Sequence, residues 1–95
     1  MKITGGNLRG RIIKVPKTDQ IRPSTDKLRG AIFSSIGGDI IESRVADLFC
    51  GSGALGIEAL SRGASYCLFV DRSRDAIACL KKNLDNLGIK NISDT

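Results

Sequence analysis

The spacing of apolar residues predicts that a helix follows a polar connector, Pro16 to Pro23. Ser24 or Thr25 is suited to cap the start of this helix, because a hydroxyl oxygen can accept from the first free backbone N–H groups. Gly37-Gly38 is expected to end it. Residues that recur every three or four positions lie on one face of this helix, and they are Leu28, Ala31, Ile32, Ser35 and Ile36.

Two further helices are predicted downstream. The second runs from Ala54 to Arg62 and closes at Gly63. The third begins after Ser73, stops at Gly88, and places on one face Ile77, Leu80, Leu84 and Leu87.

Short apolar runs between these helices predict strands. They are Arg44–Phe49, Tyr66–Val70 and a third that begins within Ile89–Ser93. The near-continuous apolar run of the first is typical of a strand covered on both faces. Strands that alternate with helices predict an α/β fold with a parallel sheet and right-handed crossovers. Before them, Ile3–Gly6 and Arg11–Val15 predict a β-hairpin.

The charge of the chain is concentrated in its first third. The net charge is +5, yet residues 1–30 carry eight basic and two acidic side chains, whereas residues 31–95 carry seven and eight. We therefore expect two parts, a basic hairpin and connector over 1–23 and an α/β unit over 24–95. A basic block beside a neutral unit is typical of proteins that bind a polyanion, although a soluble surface without a partner has the same composition.

The three cysteines, at positions 50, 67 and 79, have no metal-binding spacing, and histidine is absent. We expect reduced cysteines and no metal site. No apolar run is long enough to span a membrane, and the N-terminus has no signal-peptide pattern, so we expect a cytoplasmic protein.

A glycine-rich turn follows the first strand. Gly51 and Gly53 allow a sharp turn at which a ligand can approach the backbone, and Gly56 lets the next helix pack closely on the sheet. The second strand ends at Asp71, twenty residues after Gly51. An acid at this position can accept hydrogen bonds from ribose hydroxyls. The same pattern also fits a tight turn in which Asp71 is only a charge at a helix N-terminus.

Asp47 bears on the choice of cofactor. A carboxylate four residues before Gly51 suits the ammonium group of a methionine moiety and disfavours a pyrophosphate, which favours S-adenosylmethionine over a nicotinamide dinucleotide. Asp47 is alternatively a strand-end acid that accepts from backbone amides of the loop, and both roles are compatible.

Several runs carry a family resemblance over nearly the whole chain: Gly6-x-x-x-Gly10-Arg11, Arg22-Pro23-Ser24-Thr25-Asp26-Lys27-x-Arg29, Ala31-Ile32-Phe33, Asp47 to Gly56, Glu58 to Ala64 and Phe69-Val70-Asp71. In them the chain resembles the bacterial 16S ribosomal RNA guanine-N2 methyltransferases of the RsmD type. The resemblance implies part of a Rossmann-like methyltransferase sheet. It also implies transfer of a methyl group from S-adenosylmethionine to a guanine amine of small-subunit ribosomal RNA.

The resemblance and the patterns together provide two sets of candidate residues. The cofactor candidates are Asp47, Phe49, Gly51, Ser52, Gly53, Asp71 and Arg72. The nucleic-acid candidates are Arg9, Arg11, Lys14, Arg22, Lys27 and Arg29.

One departure from the family pattern limits what this chain is expected to do. The family carries an Asn/Asp-Pro-Pro-Tyr/Phe loop that grips the target amine, whereas the prolines here are Pro16 and Pro23, outside any such motif. We assign no catalytic residue and expect no methyl transfer by these 95 residues alone. The alternatives are a methyltransferase fragment acting on DNA, protein or a small molecule, a non-catalytic RNA-binding or assembly module, and a nicotinamide-dependent enzyme.

The resemblance also implies that the first strand lies at the centre of a larger sheet. In this chain its second edge would then be open and apolar. We expect that edge to promote self-association.

Overall fold

The computed structural model describes residues 1–15 and 25–95. Three helices and three strands follow the N-terminal segment in the order α1 (Asp26–Ile36), β1 (Arg44–Asp47), α2 (Ala54–Ser61), β2 (Tyr66–Phe69), α3 (Arg74–Leu87) and β3 (Ser93–Asp94). Short 3-10 turns, Gly37–Ile40 and Lys90–Ile92, precede β1 and β3. The predicted α/β alternation is confirmed. The predicted boundary between residues 23 and 24 lies outside the described residues.

The helices start and stop for the predicted reasons. The Thr25 hydroxyl accepts from the N–H of Leu28 at 3.0 Å, and Ser73 does the same for Ala76 at 3.2 Å. Gly37 and Gly88 follow α1 and α3 with φ of 61° and 72°. A side chain at those angles is strained, which is why glycine ends both helices.

The sheet is parallel, with strand order β1-β2-β3. Right-handed crossovers in one direction place α2 and α3 on the same face, and on that face Cys67 and Phe69 of β2 are fully buried. The other face carries Leu68 and Val70, both exposed. The expectation that β1 is covered on both faces is therefore wrong for the described residues, among which α2 and α3 cover one face of the sheet.

Strand β1 is shorter than predicted because the chain bulges away from the ladder after Asp47. The Asp47 carbonyl accepts from Val70 N–H at 2.9 Å, and Cys50 N–H then donates to the Val70 carbonyl at 3.0 Å. Leu48 and Phe49 lie between these two bonds and form a turn. Their side chains are consequently 58% and 87% exposed.

Helix α1 buries a different face from the predicted one. Arg29 and Phe33 are its buried residues, whereas Leu28, Ile32 and Ile36 are 37–51% exposed. The predicted face is apolar. The helix is nevertheless oriented with Arg29 inward, because Glu58 of α2 pairs with this side chain.

Residues 1–15 form the predicted hairpin in a shortened form, which we call the N-terminal arm. Its antiparallel pairing centres on a bridge between Lys2 and Ile12 and includes the bonds from Ile3 N–H to the Arg11 carbonyl at 2.9 Å and from Ile13 N–H to the Met1 carbonyl at 2.8 Å. The predicted strand Ile3–Gly6 does not form because Thr4 and Gly5 donate their N–H groups to the Glu58 carboxylate, both at 2.9 Å. The arm is thus fastened to α2, and Ile3 and Ile13 join the core.

None of the helices in the described ranges 1–15 and 25–95 combines the length and apolar character that crossing a membrane requires.

Candidate cofactor and nucleic-acid site

The glycine loop between β1 and α2 is a tight turn that depends on backbone angles accessible to glycine. Gly51 and Gly53 have φ of 54° and 93°, and Gly53 N–H closes the turn by donating to the Cys50 carbonyl at 2.8 Å. Ala54, the first residue of α2, follows directly. The predicted strand, glycine turn and helix are confirmed.

Two glycines of this region are required by packing. A Cβ built on Gly53 would lie 2.3 Å from Leu80 Cδ1, and one on Gly56 would lie 2.3 Å from Phe69 Cε1. Gly56 therefore brings α2 close to β2, as predicted. The Cα of Gly53 faces the core. Because glycine has no side chain, Leu80 of α3 can pack against it, and the backbone can also make the turn.

Asp71 contacts the glycine loop directly. Its Oδ2 accepts from the N–H of Gly51 at 2.9 Å, and its Oδ1 accepts from the N–H of Ser73 at 2.8 Å. The bond from Ser73, followed by that from Gly51, holds the pKa of Asp71 below its ordinary value of 3.8. The carboxylate is therefore charged at neutral pH. Since a carboxylate has about four acceptor sites, roughly two remain for other donors.

Asp47 lies on the helix side of the same loop. Its Oδ2 accepts from the N–H of Gly56 at 3.1 Å, in the first turn of α2. Gly53, at the cap position, has no side chain to do this. The interpretation of Asp47 as an acceptor for backbone amides is thus confirmed, and the cofactor role stays a prediction. Burial raises the pKa of Asp47, and the charge of nearby Asp71 adds to this, while the Gly56 bond opposes both.

The other cofactor candidates surround these two acids. Ser52 is buried within the loop, whereas Phe49 and Arg72 project into solvent. A cleft of about 300 Å³ is lined by Asp71, Arg72 and residues of α3, and a second, of about 220 Å³, is lined by Asp47 with apolar residues of α1, β1 and α2. The loop and both acids are therefore adjacent, but the acids border different clefts.

The nucleic-acid candidates on the arm are exposed and partly fixed in place. Arg9, Arg11 and Lys14 all have exposed side chains. Arg11 Nη2 donates to the Asn86 carbonyl of α3 at 3.0 Å, so the arm runs along this helix. Lys27 is exposed at the start of α1. Arg22 lies outside the described residues.

Arg29 was predicted to contact nucleic acid, and the structure contradicts this. Its side chain is fully buried, pairs with Asp26, and places its Nε 3.6 Å from Glu58 Oε1. Its Nη2 also donates to the Lys2 carbonyl at 2.7 Å. A guanidinium in this position joins α1, α2 and the arm, and a phosphate cannot reach it.

Glu58 is the centre of this charged cluster. It accepts from Arg62 Nε at 2.8 Å in addition to the arm amides. Burial acts to raise the pKa of Glu58, but the bonds from Arg62, Thr4 and Gly5 outweigh it and hold the pKa below the ordinary 4.5. Glu58 remains a buried, charged acceptor that fastens the arm.

Sequence reasoning assigned no role to two buried polar residues that organise this region, Glu58 and Asn83. Glu58 entered only as part of a family run, and Asn83 lies among the apolar positions of α3. Both are at most 1% exposed. A polar residue interrupting the apolar face of a helix is a usable signal for a buried hydrogen-bonding role, although its partners cannot be read from the sequence.

Comparisons with known proteins agree with this geometry. The family described as Conserved hypothetical protein 95 matches residues 1–95. YlbH of Bacillus subtilis (strain 168) is 47% identical over 87 residues, which cover 92% of this chain and 47% of that protein. Ribosomal RNA small subunit methyltransferase D of Escherichia coli (strain K12) is 40% identical over 87 residues, covering 92% of this chain and 44% of that protein.

A solved structure of the Escherichia coli protein yhhF superposes with a TM-score of 0.87 at 35% identity, covering 98% of this chain and 49% of that one. The partial Rossmann-like α/β fold is thereby confirmed. The chain spans about half the length of the curated relatives that it matches.

Proposed function

The chain belongs to the Conserved hypothetical protein 95 family, which includes the resembled RsmD-type enzymes, and from that premise we propose that it forms the S-adenosylmethionine-binding half of a ribosomal RNA methyltransferase. The modified group is the exocyclic N2 amine of a guanine in small-subunit ribosomal RNA. The observation that carries this proposal is the 2.9 Å hydrogen bond from Gly51 N–H to Asp71 Oδ2. It brings the glycine loop and the strand-end acid to one edge of the sheet.

The residues at this edge fit an adenosine-bearing ligand. Asp71 is charged, partly exposed and retains acceptor capacity for the two ribose hydroxyls. Asp47 is partly buried and lies near the charge of Asp71, so a ligand ammonium nearby would be stabilised by its carboxylate. Phe49, exposed at the turn, offers an apolar surface to the ligand.

The bound cofactor would supply an electrophilic methyl group. The residues of this chain hold and orient it: Asp71 through the ribose, Asp47 through the amino group, and the loop backbone by close approach. Positioning of this kind is a large part of the catalysis of group transfer between two bound reactants. The target base is expected to lie near the arm, whose exposed cations suit phosphate groups.

The experiment that tests the cofactor assignment is a calorimetric titration with S-adenosylhomocysteine and, separately, with NAD. We expect one equivalent of S-adenosylhomocysteine to bind and NAD to bind more weakly or not at all. Asp71→Asn should weaken binding about tenfold, because the ribose loses a charged acceptor. The matched control is Asp75→Asn, an exposed acid in the first turn of α3. Equal binding of NAD, or equal effects of the two variants, would contradict the assignment.

A non-catalytic RNA-binding module is the second candidate, and the exposed Arg9, Arg11 and Lys14 on a firmly docked arm favour it. Measurements of RNA binding and of S-adenosylhomocysteine binding on the same protein distinguish the two functions. RNA binding without any S-adenosylhomocysteine binding supports the module, and binding of both ligands supports the enzyme half.

A further inference from the structure

Asn83 of α3 connects the basic arm with the glycine loop. Its Oδ1 accepts from the N–H of Lys14 at 3.0 Å, and its Nδ2 donates to the Lys14 carbonyl at 2.9 Å. The same Nδ2 donates to the Ser52 carbonyl in the glycine loop at 3.1 Å. One amide that is 1% exposed therefore binds the backbone of both segments.

The other fastenings of the arm lie elsewhere. Thr4 and Gly5 bind Glu58, and Leu8 N–H donates to the Ser61 hydroxyl at 3.0 Å. These contacts hold the first part of the arm on α2, away from the loop. Near Lys14, the Cys79 thiol donates to the Lys14 carbonyl at 3.2 Å. Asn83 is thus the residue, among those that the structure describes, that hydrogen-bonds to both the arm and the loop.

Docking of Lys14 on α3 also brings several basic side chains together on this helix. Lys14 lies beside Cys79, whose thiol donates to the Lys14 carbonyl, and Lys82 follows Cys79 by three positions on α3, so both basic residues lie near this cysteine. Burial raises the pKa of the Cys79 thiol, and both ammonium groups oppose that shift. Arg11 is fixed on the same helix through the Asn86 carbonyl. In the described ranges, none of these three cations has a carboxylate within 4.0 Å. Three cations held on one helix would attract a polyanion more strongly than the same cations on separate segments.

We propose that Asn83 is a positioning residue that couples polyanion binding at the arm to cofactor binding at the glycine loop. When residues 12–15 are docked, Asn83 holds the Ser52 carbonyl and Gly51 can reach Asp71. When they are released, Lys14 moves away from the cations of α3, and the glycine loop loses a contact that fixes it. Each ligand favours the docked state, so each must raise the affinity for the other by the same factor. This inference rests on the proposed function for the identity of the two ligands.

The test compares the 95-residue chain with Asn83→Leu, which keeps the branched shape of the side chain and removes its four hydrogen bonds, three to Lys14 and Ser52 and one to the Cys79 sulfur. Calorimetry measures S-adenosylhomocysteine affinity with and without a saturating guanine-containing RNA oligonucleotide. We expect the RNA to raise that affinity about fivefold to tenfold in the unaltered chain and to have no effect in Asn83→Leu. The matched control, Ser61→Ala, removes arm contacts that do not touch the loop and should keep the coupling.

Amide hydrogen exchange without ligands provides a second measurement. In Asn83→Leu, exchange should quicken together at residues 12–15 and 51–53, while residues 4–8 keep their protection. In Ser61→Ala, the quickening should be confined to the first part of the arm. Coupling that persists in Asn83→Leu, or quickening in the arm without the loop, would overturn the inference. Failure of the unaltered chain to bind S-adenosylhomocysteine overturns the proposed function instead, and the exchange pattern then still decides the structural link.

Discussion

Asp71 and Gly51 are joined by a hydrogen bond of 2.9 Å between the carboxylate of one and the backbone N–H of the other. Twenty residues and a helix separate them in sequence, yet the parallel pairing of β1 and β2 brings both to the same edge. The acid therefore has two uses, because it shapes the glycine loop and retains acceptor capacity for a ligand. The predictions below follow from this site and from the contacts that support it.

Gly56→Ala is expected to destabilise the fold. The added Cβ would lie 2.3 Å from Phe69 Cε1 and 2.8 Å from Cys67 Sγ, and both neighbours are fully buried. Overpacking of a dense core typically costs about 1–3 kcal/mol. Urea unfolding should show this loss for Gly56→Ala. The matched control is Gly38→Ala, because a Cβ at Gly38 meets no atom within 4 Å. Equal stability of the two variants would show that α2 does not pack on β2 as described.

Glu58 is expected to make the stability of the chain depend on acid pH. Its folded-state pKa lies below the ordinary 4.5, so its contribution is fully present above about pH 4.5 and is lost as the pH falls through the lower value. Glu58→Gln removes the charge that pairs with Arg62 and with buried Arg29, for which Asp26 then remains, and should cost about 3 kcal/mol near neutral pH.

The measurement is the free energy of unfolding from pH 7 to pH 3. Asp26 and Asp71 also have lowered pKa values and contribute in the same direction, so the difference between the two proteins isolates Glu58. That difference should shrink as the pH falls. A difference that is constant over the whole range would contradict the charged state assigned to Glu58.

Lys14 and Arg29 should behave differently in RNA binding, although both were predicted to contact nucleic acid. Lys14→Ala is expected to lower the slope of log affinity against log salt by about 0.7, the value for one phosphate contact on a single strand. Arg29→Met should leave that slope unchanged at temperatures where the variant is folded, because the Arg29 side chain is fully buried. Fluorescence anisotropy over a salt series provides both slopes. A reduced slope for Arg29→Met would place that side chain at the RNA surface.

The open edge of β1 is expected to cause self-association. The Asp47 carbonyl accepts from Val70, the residue after β2, and the backbone groups of successive strand residues point to opposite edges, so the N–H of Ala46 faces the other edge. In the described part of the chain, β2 is the strand that pairs with β1. Sedimentation velocity should show oligomers that increase with concentration, and Ala46→Pro should reduce them by removing an edge donor. A monomer at high concentration in the unaltered chain would contradict this prediction.

The sequence predicted the ends of the helices and the glycine turn better than it predicted which residues are buried. Caps such as Ser73 and Gly88 act through bonds to residues close by in the chain, so their types alone identify the ends of α3. The spacing from Gly51 to Asp71 likewise follows from one strand, one helix and one strand. Spacing alone leaves two cofactors open, and the preference for S-adenosylmethionine came from Asp47 and from the family resemblance.

The errors arose where contacts distant in sequence decide the outcome. Helix α1 was predicted by its apolar face, but the buried Glu58 of α2 draws Arg29 inward. The same carboxylate takes the N–H groups of Thr4 and Gly5 and prevents the predicted hairpin strand. Arg29 was predicted to contact phosphate because it lies in a positively charged segment, and the sequence does not show that its partner is the buried Glu58. Asn83 was missed for the same reason.

The most direct measurement of the central claim is a two-dimensional NMR titration of the isotopically labelled chain with S-adenosylhomocysteine. The claim is that the glycine loop and Asp71 bind one ligand together. The amide signals of residues 51–53 and 71–73 should shift along a common saturation curve, while those of residues 4–8, which are bound to α2, stay in place. Shifts confined to only one of the two segments, or shifts elsewhere with both unchanged, would contradict it.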